Sequence, residues 1–332
     1  MSEPLLRVRG LRKYFPIGGG FGFKPRAHVR AVDGVDLELH RSETLGLVGE
    51  SGCGKSTLGR LVLRLIEADE GEIHFDGREL RSLDRAEMRA LRRRMQIVFQ
   101  DPFASLNPRM TVGEAIGEGL RIHRIGSPED RRKRVHELLE TVGLRADHAT
   151  RYPHEFSGGQ RQRIGIARAL ALDPVLIVAD EPVSSLDVSI QAQILNLLLE
   201  LQQRFEIAFL FVSHDLRVIR HLSDRVAVMY LGRIVETGPS EQLYELPQHP
   251  YTRALLSAAP VLDPSRAKQR IVLQGDVPSP ISPPSGCAFH PRCSIAVARC
   301  SAERPELREI APKRWSACHL APLDPIAPSG GA

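Results

Sequence analysis

Two hydrophobic periods divide this chain. Between residues 5 and 48 apolar positions alternate or run together in LLRVRGL, VDGVDLEL and ETLGLVG, which predicts short strands. PIGGGFGFKPR at 16–26 interrupts them, and its glycines and prolines predict a loop insertion. From Ser56 the spacing turns helical in STLGRLVLRLI, and GEIHFDG then reads as a strand closing in a turn. Residues 85–95, 129–142 and 162–172 also carry helical patterns. PVLIVADEP at 174–182 is a continuous apolar strand ending on two acids, and IAFLFVSHD is a second buried strand. Between them Ile190, Ile194, Leu197, Leu198, Leu201 and Phe205 recur at helical spacing, so one face of that helix is buried. Fully apolar strands alternating with helices predict an α/β fold whose mainly parallel sheet is covered on both faces. Beyond about residue 255 the pattern fades into the Pro-rich DVPSPISPPSG (276–286) and then a cysteine-rich stretch, which predicts a separate C-terminal module. No internal repeat is visible; each motif occurs once.

Composition narrows this picture without redirecting it. The 332 residues leave room for roughly two domains with ordinary cores. Hydrophobic content of 42% and charged content of 26% are those of a soluble globular chain. The longest apolar stretches, VLIVA (175–179) and IAFLFV (207–212), fall far short of the roughly 18 residues that span a membrane. MSEPLLRVRG lacks the basic and apolar regions of a secretory signal, so the expectation is a cytosolic chain held at any membrane by other subunits. The formal charge is +5, and the arginine clusters at 89–95 and 131–135 have no aromatic interleaving. Solvated helix faces explain them better than nucleic acid does, and no nucleic-acid partner is expected.

The chemistry concentrates in a few short motifs. GESGCGKST (Gly49, Glu50, Ser51, Gly52, Cys53, Gly54, Lys55, Ser56, Thr57) matches the P-loop pattern between an apolar strand and a helix. Its glycines let backbone amides face phosphate oxygens, and the helix start adds partial positive charge. Lys55 then reaches the β- and γ-phosphates, and the Ser56 hydroxyl is placed to ligate Mg²⁺. Cys53 reads as a tolerated small residue. Asp180 and Glu181 end a buried strand on the side where an open parallel sheet binds ligands. Two adjacent carboxylates there would cost several kcal/mol without partners, and a metal-bound triphosphate supplies the reason for them. Asp180 can hold Mg²⁺ through water, while Glu181 can polarise the attacking water. His214 ends the next apolar strand and is placed alike.

In this order the motifs resemble the nucleotide-binding subunit of ABC transporters, over nearly the whole chain. They are the P-loop at 49–57, Gln100 in IVFQDP, FSGGQ at 156–160, LIVADE at 176–181, SSLD at 184–187 and His214 in VSHD. The signature more often begins with Leu; Phe156 is a hydrophobic replacement. VGESGCGKSTLGR, QDPFASLNPRMTVGEAI, DEPVSSLDVSIQAQILNLL and GCAFHPRCSIAVARC tighten the resemblance to the dipeptide/oligopeptide importer ATPases, the second of their two paired subunits.

That resemblance implies a P-loop NTPase of the ABC ATPase type: a RecA-like core with antiparallel β and helical subdomains plus a small Cys-rich C-terminal module. The ATPase domain would cover 1–255, with its helical subdomain at about 101–172, and the module 256–332. ATP and Mg²⁺ would be bound, with Phe15 (Tyr14 as alternative) stacking on adenine. Gln100 would sense the γ-phosphate and share the Mg²⁺ with Ser56 and Asp180. Glu181, His214 and Gln100 would form the catalytic set. Ser157, Gly158, Gly159 and Gln160 would close over the ATP of a partner ATPase subunit, copy or paralogue, with Asp187 in the D-loop between them. Two membrane permeases and an extracytoplasmic peptide-binding protein would complete a transporter on the cytoplasmic side of the inner membrane. Nickel chelates or glutathione are alternative cargo. A soluble ABC ATPase is the reading from another class, but the coiled-coil insertion and the double motif set of such proteins are missing.

Cys287, Cys293, Cys300 and Cys318 are separated by 5, 6 and 17 residues. Four thiolates suit either zinc or an iron–sulfur cluster, and the spacing lacks the short hook of common zinc sites. The resemblance implies a [4Fe–4S] cluster; zinc and no metal stay open.

Overall fold

The computed structural model describes residues 3–18, 26–258, 273 and 275–324. The chain divides into two compact units: residues 1–5, 39–44 and 79–212, and residues 6–38, 45–78 and 213–332. Residues 19–25 of the expected loop insertion lie outside the described residues.

The second unit carries most of the β-structure. Strands β1 (Leu6–Ile17), β2 (Ala27–Leu39), β4 (Glu70–Phe75) and β5 (Arg78–Glu79) form a sheet in the order β2-β1-β4-β5. β1 and β2 run longer than the short strands the pattern predicts. At the insertion the Arg26 N–H donates to the carbonyls of Ile17 (3.1 Å) and Gly18 (2.9 Å), joining the strand ends. β3 (Thr44–Val48) is wholly buried and pairs in parallel with β9 (Arg225–Tyr230). β9 pairs antiparallel with β10 (Arg233–Pro239), which pairs with β12 (Arg314–Ser316), and β12 with β11 (Arg308–Ala311). Helix α1 (Lys55–Val62) follows β3 through the Gly-rich loop. It ends earlier than the apolar pattern does, because Arg64 adopts a left-handed backbone (φ 48°). The Leu65 N–H returns to the Arg60 carbonyl and the Arg64 N–H to that of Leu61, a Schellman stop without glycine.

The first unit holds three parallel strands, β6 (Met95–Val98), β7 (Leu176–Asp180) and β8 (Ala208–Ser213), paired β6-β7-β8. β7 and β8 are buried throughout, which is why their sequences lack polar alternation. Helices α2 (Arg85–Leu91), α3 (Pro102–Ser105), α4 (Val112–Ile122), α5 (Pro128–Thr141), α6 (Gly158–Leu170) and α7 (Val188–Phe205) complete this unit. Ile116 and Leu120 of α4, Leu138 and Leu139 of α5 and Ile164 of α6 are buried, each worth about 2 kcal/mol of apolar transfer. Of the arginines of α5, Arg132 is exposed, Arg131 donates to the Ile125 carbonyl and Arg134 pairs with Asp173. In the second unit α8 (Leu216–Leu222), α9 (Ser240–Glu245), α10 (Pro250–Ala258) and α11 (Ala298–Ala302) follow. Among the described residues no helix is long and apolar enough to cross a membrane.

Candidate functional site

The Gly-rich loop leaves β3 and turns into α1 at Gly54, whose backbone is left-handed (φ 109°). A Cβ there would lie 2.0 Å from the Ala31 carbonyl oxygen, so only glycine fits. Ser51 and Gly52 form the exposed crest of the loop, while Lys55 beneath it is 4% exposed. The Lys55 ammonium donates to the carbonyls of Gly49 (2.8 Å) and Glu50 (3.0 Å) and lies near the Cys53 sulfur. Burial raises the pKa of the Cys53 thiol, although Lys55 opposes this. It is a small, buried residue. Two bonds reach the loop from far along the chain. The Glu50 N–H donates to the Tyr251 hydroxyl at 2.9 Å, and the Glu50 carboxylate accepts two bonds from Arg292.

In the other unit β7 ends on Asp180, which is buried, and Glu181, which is half-buried. Glu181 has a left-handed backbone (φ 47°), a conformation that costs a non-glycine residue about 1 kcal/mol. Its N–H is anchored on the Val212 carbonyl at 3.0 Å, and its carboxylate accepts a bond from the Gln100 amide at 3.1 Å. The Ser184 hydroxyl donates to the Glu181 carbonyl and the Ser185 hydroxyl to that of Gln100. The segments carrying Gln100, Glu181 and the D-loop serines are therefore cross-linked. Asp187 is exposed at the start of α7. His214, just after β8 and assigned to the second unit, is exposed as well.

The segment FSGGQ opens α6. Ser157 is the N-cap in a capping box: the Gln160 N–H donates to its hydroxyl and its own N–H to the Gln160 side chain. Phe156 is buried and Ser157 exposed. Gly159 is fixed by packing, since a Cβ would lie 2.4 Å from the Ile190 side chain. The arginines that follow are not a solvated face. Arg161 is buried, donates to the Pro153 and His154 carbonyls, and lies 3.7 Å from the centre of the Phe103 ring. Arg163 donates to the Val142 carbonyl at 2.6 Å.

Residues 32–184 match the family model of ABC transporters, and residues 235–300 that of the oligopeptide/dipeptide transporter C-terminal region. The oligopeptide transport ATP-binding protein AppF of Bacillus subtilis (strain 168) is 54% identical over 322 residues, 96% of this chain and 98% of its own length. The chain belongs to the ATP-binding proteins of peptide ABC transporters. A putative peptide import ATP-binding protein of Brucella ovis is 56% identical, covering 96% of this chain and 98% of its own. Among solved structures, the post-hydrolysis dimer of the ATP-binding cassette MJ0796 bound to ADP and phosphate superposes with a TM-score of 0.64. It is 31% identical and covers 71% of this chain and 98% of its own. The cbiO1 protein from Clostridium perfringens, part of the cbiONQ transporter complex, has a TM-score of 0.62 at 28% identity, covering 73% and 91%. The protein thus has the P-loop ABC ATPase fold.

In this ABC ATP-binding protein the two candidate adenine-stacking rings differ. The Tyr14 hydroxyl is tied to Asp33, which Arg233 also holds, whereas the Phe15 ring is 38% exposed. The four late cysteines are free of disulfides and line one cavity together with Phe289, His249, His290 and His319. Burial pushes the Cys287 thiol up to about 11 and raises Cys293 and Cys318 as well. Among the described residues, however, no group of three or more His, Cys, Asp or Glu side chains is close enough to hold a metal ion. Tyr251 and Arg292 were not among the residues the sequence singled out. They stand 201 and 242 positions from their partner, and only the late HPR turn could have drawn attention to one of them.

Proposed function

We propose that the protein is the ATP-hydrolysing subunit that powers import of di- and oligopeptides by an ABC transporter. The observation that carries this reading is the complete ordered motif set in a chain 54% identical, nearly end to end, to an oligopeptide transport ATP-binding protein. The P-loop amides and Lys55 bind the ATP phosphates, and Ser56 and Asp180, with Gln100, hold Mg²⁺. Phe15 stacks on adenine, because the Tyr14 hydroxyl is already engaged. Glu181 takes a proton from the attacking water, with Gln100 and His214 orienting the γ-phosphate end. The exposed FSGGQ helix start, with Asp187, completes the site of a second ATPase subunit. Two membrane permeases and an extracytoplasmic peptide-binding protein join the pair, which places the chain on the cytoplasmic face of the membrane.

On the same reading residues 1–255 are the ATPase domain, with a helical subdomain at about 101–172. Residues 256–332 are a Cys-rich C-terminal module. Its four cysteines are the ligands of a [4Fe–4S] cluster, a reading supported by their convergence on one cavity. The donor type fits, since thiols are the ligands such clusters take, but the four side chains would have to draw closer together to hold it. When bound, the cluster would tie together the segments carrying Cys287–Cys300 and Cys318 and deprotonate their thiols. Iron analysis and the visible absorption of anaerobically purified protein test it, and an iron-free, colourless sample rejects it.

The decisive experiment on function is Glu181→Gln. Turnover should fall at least about a hundredfold while ATP-bound dimers accumulate, because the binding groups survive and only the base is lost. Hydrolysis at the wild-type rate would remove Glu181 from the role of base.

A further inference from the structure

The geometry points to Arg292 as a positioning residue of the P-loop, acting through Glu50. This rests on the reading that the loop binds nucleotide, and it adds a residue 242 positions away in sequence. The two Arg292 amino groups donate to the two Glu50 oxygens at 2.8 and 3.0 Å, a bidentate pairing. The arginine side chain is only 7% exposed and that of Glu50 24%. A bidentate guanidinium fixes the plane of a carboxylate as well as its distance, which an ammonium cannot do. The pairing also raises the Arg292 pKa, first through the Glu50 bonds. Glu50 is the second residue of the phosphate loop, and its own N–H is taken by the Tyr251 hydroxyl. Both ends of that residue, side chain and amide, are therefore set by the C-terminal part of the chain.

The holder is itself rigid. Arg292 lies in a short helical turn between Cys287 and Cys293, closed by His290 N–H to the Cys287 carbonyl and Cys293 N–H to that of His290. The Cys287 N–H in turn donates to the Cys300 carbonyl at 2.8 Å. Phe289, within the turn, packs on Tyr230 and Tyr251 with ring centres 5.4 Å away in each case, and those two rings are 4.6 Å apart. One turn thus lines the cysteine cavity with Cys287, Phe289 and Cys293 and grips the P-loop with Arg292.

The test is a double-mutant cycle on the full chain, read by titration with ATP and Mg²⁺ and by steady-state ATPase kinetics. Arg292→Ala should weaken ATP binding about tenfold and raise KM alike, with kcat moving less than about twofold, because the loop and not the chemistry is perturbed. In a Glu50→Gln background the same change should add less than about twofold, since the partner it acts through is gone. Arg292→Lys keeps charge and bulk, and it should lie between Ala and wild type. It decides the matter if the alanine variant does not fold. Equal losses in both backgrounds, or ATP affinity unchanged by Arg292→Lys and Arg292→Ala, would overturn the assignment. Lys55→Ala separates the two levels. If neither wild type nor Lys55→Ala binds ATP, the nucleotide reading fails. If only Lys55→Ala loses binding, that reading stands and the Arg292 result is judged alone.

Discussion

The protein has two glycine-rich helix starts suited to phosphate, and they are held in opposite ways. The P-loop is fastened by distant residues: Tyr251 on the Glu50 amide, Arg292 on its carboxylate, and the Gly232 N–H on the Cys53 carbonyl. The signature at 156–160 takes its hydrogen bonds from close by, through its own capping box and through Arg161 folding back to Pro153 and His154, with Ile190 packed against Gly159. On the proposed reading, a loop that binds ATP within its own subunit is preorganised by residues far along the chain. On that same reading, a loop that serves a partner's ATP keeps its serine exposed and takes most of its support from nearby residues.

The sharpest break in that contrast is Gly54→Ala. Its backbone is left-handed and a Cβ would press on the Ala31 carbonyl, so the loop must shift. ATP affinity of the full chain should fall by at least about a hundredfold, the effect of losing several aligned amides together. Binding within about threefold of wild type would show that the loop tolerates a different course. Ser157→Arg attacks the other loop and should separate binding from turnover. Hydrolysis should drop at least about tenfold, because the arginine blocks the partner's phosphate, while ATP binding by the monomer stays within about twofold. Lost binding in the monomer would place the signature in its own chain's site. A smaller, structural effect belongs to Gly159→Ala, whose methyl would meet Ile190 at 2.4 Å. It should cost about 1–3 kcal/mol in denaturant unfolding, the usual range for overpacking, and an unchanged midpoint would mean that α7 can move aside.

The same contrast governs what the sequence could disclose. Local devices were legible: the strand–loop–helix around Lys55, the apolar strand ending at Asp180 and Glu181, and the start of α6 at FSGGQ all follow from neighbouring residues. The burial of Arg161 and the carbonyl bond of the half-buried Arg163 were not, because a basic helix face reads the same whether it meets water or backbone carbonyls. Nor was the end of α1, where Arg64 makes the left-handed stop that glycine usually signals. Arg292 and Tyr251 were beyond reach for a plainer reason. Their roles exist only once tertiary folding brings residues 50, 251 and 292 together, and no local period encodes that meeting.

Acid should probe the same difference more gently. His249 is fully buried, and burial pushes its pKa down to about 3. Its Nδ1 accepts the Tyr251 N–H at 3.1 Å, so the neutral ring steadies the residue whose hydroxyl holds the P-loop. The folded pKa lies below the unfolded value of about 6.5, so the unfolded chain binds the proton first. The stabilisation is complete above that value and is lost as pH falls from about 6.5 towards 3. Between pH 7 and 5.5 the loss should be about 1 kcal/mol. His249→Asn, whose amide oxygen can still accept the Tyr251 N–H, should remove this part of the pH dependence. The signature's capping box, Ser157 with Gln160, has nothing to titrate in that range. Denaturant unfolding of both proteins at the two pH values decides it: an equal loss in wild type and variant would clear His249 of the effect and leave the acid sensitivity to other groups.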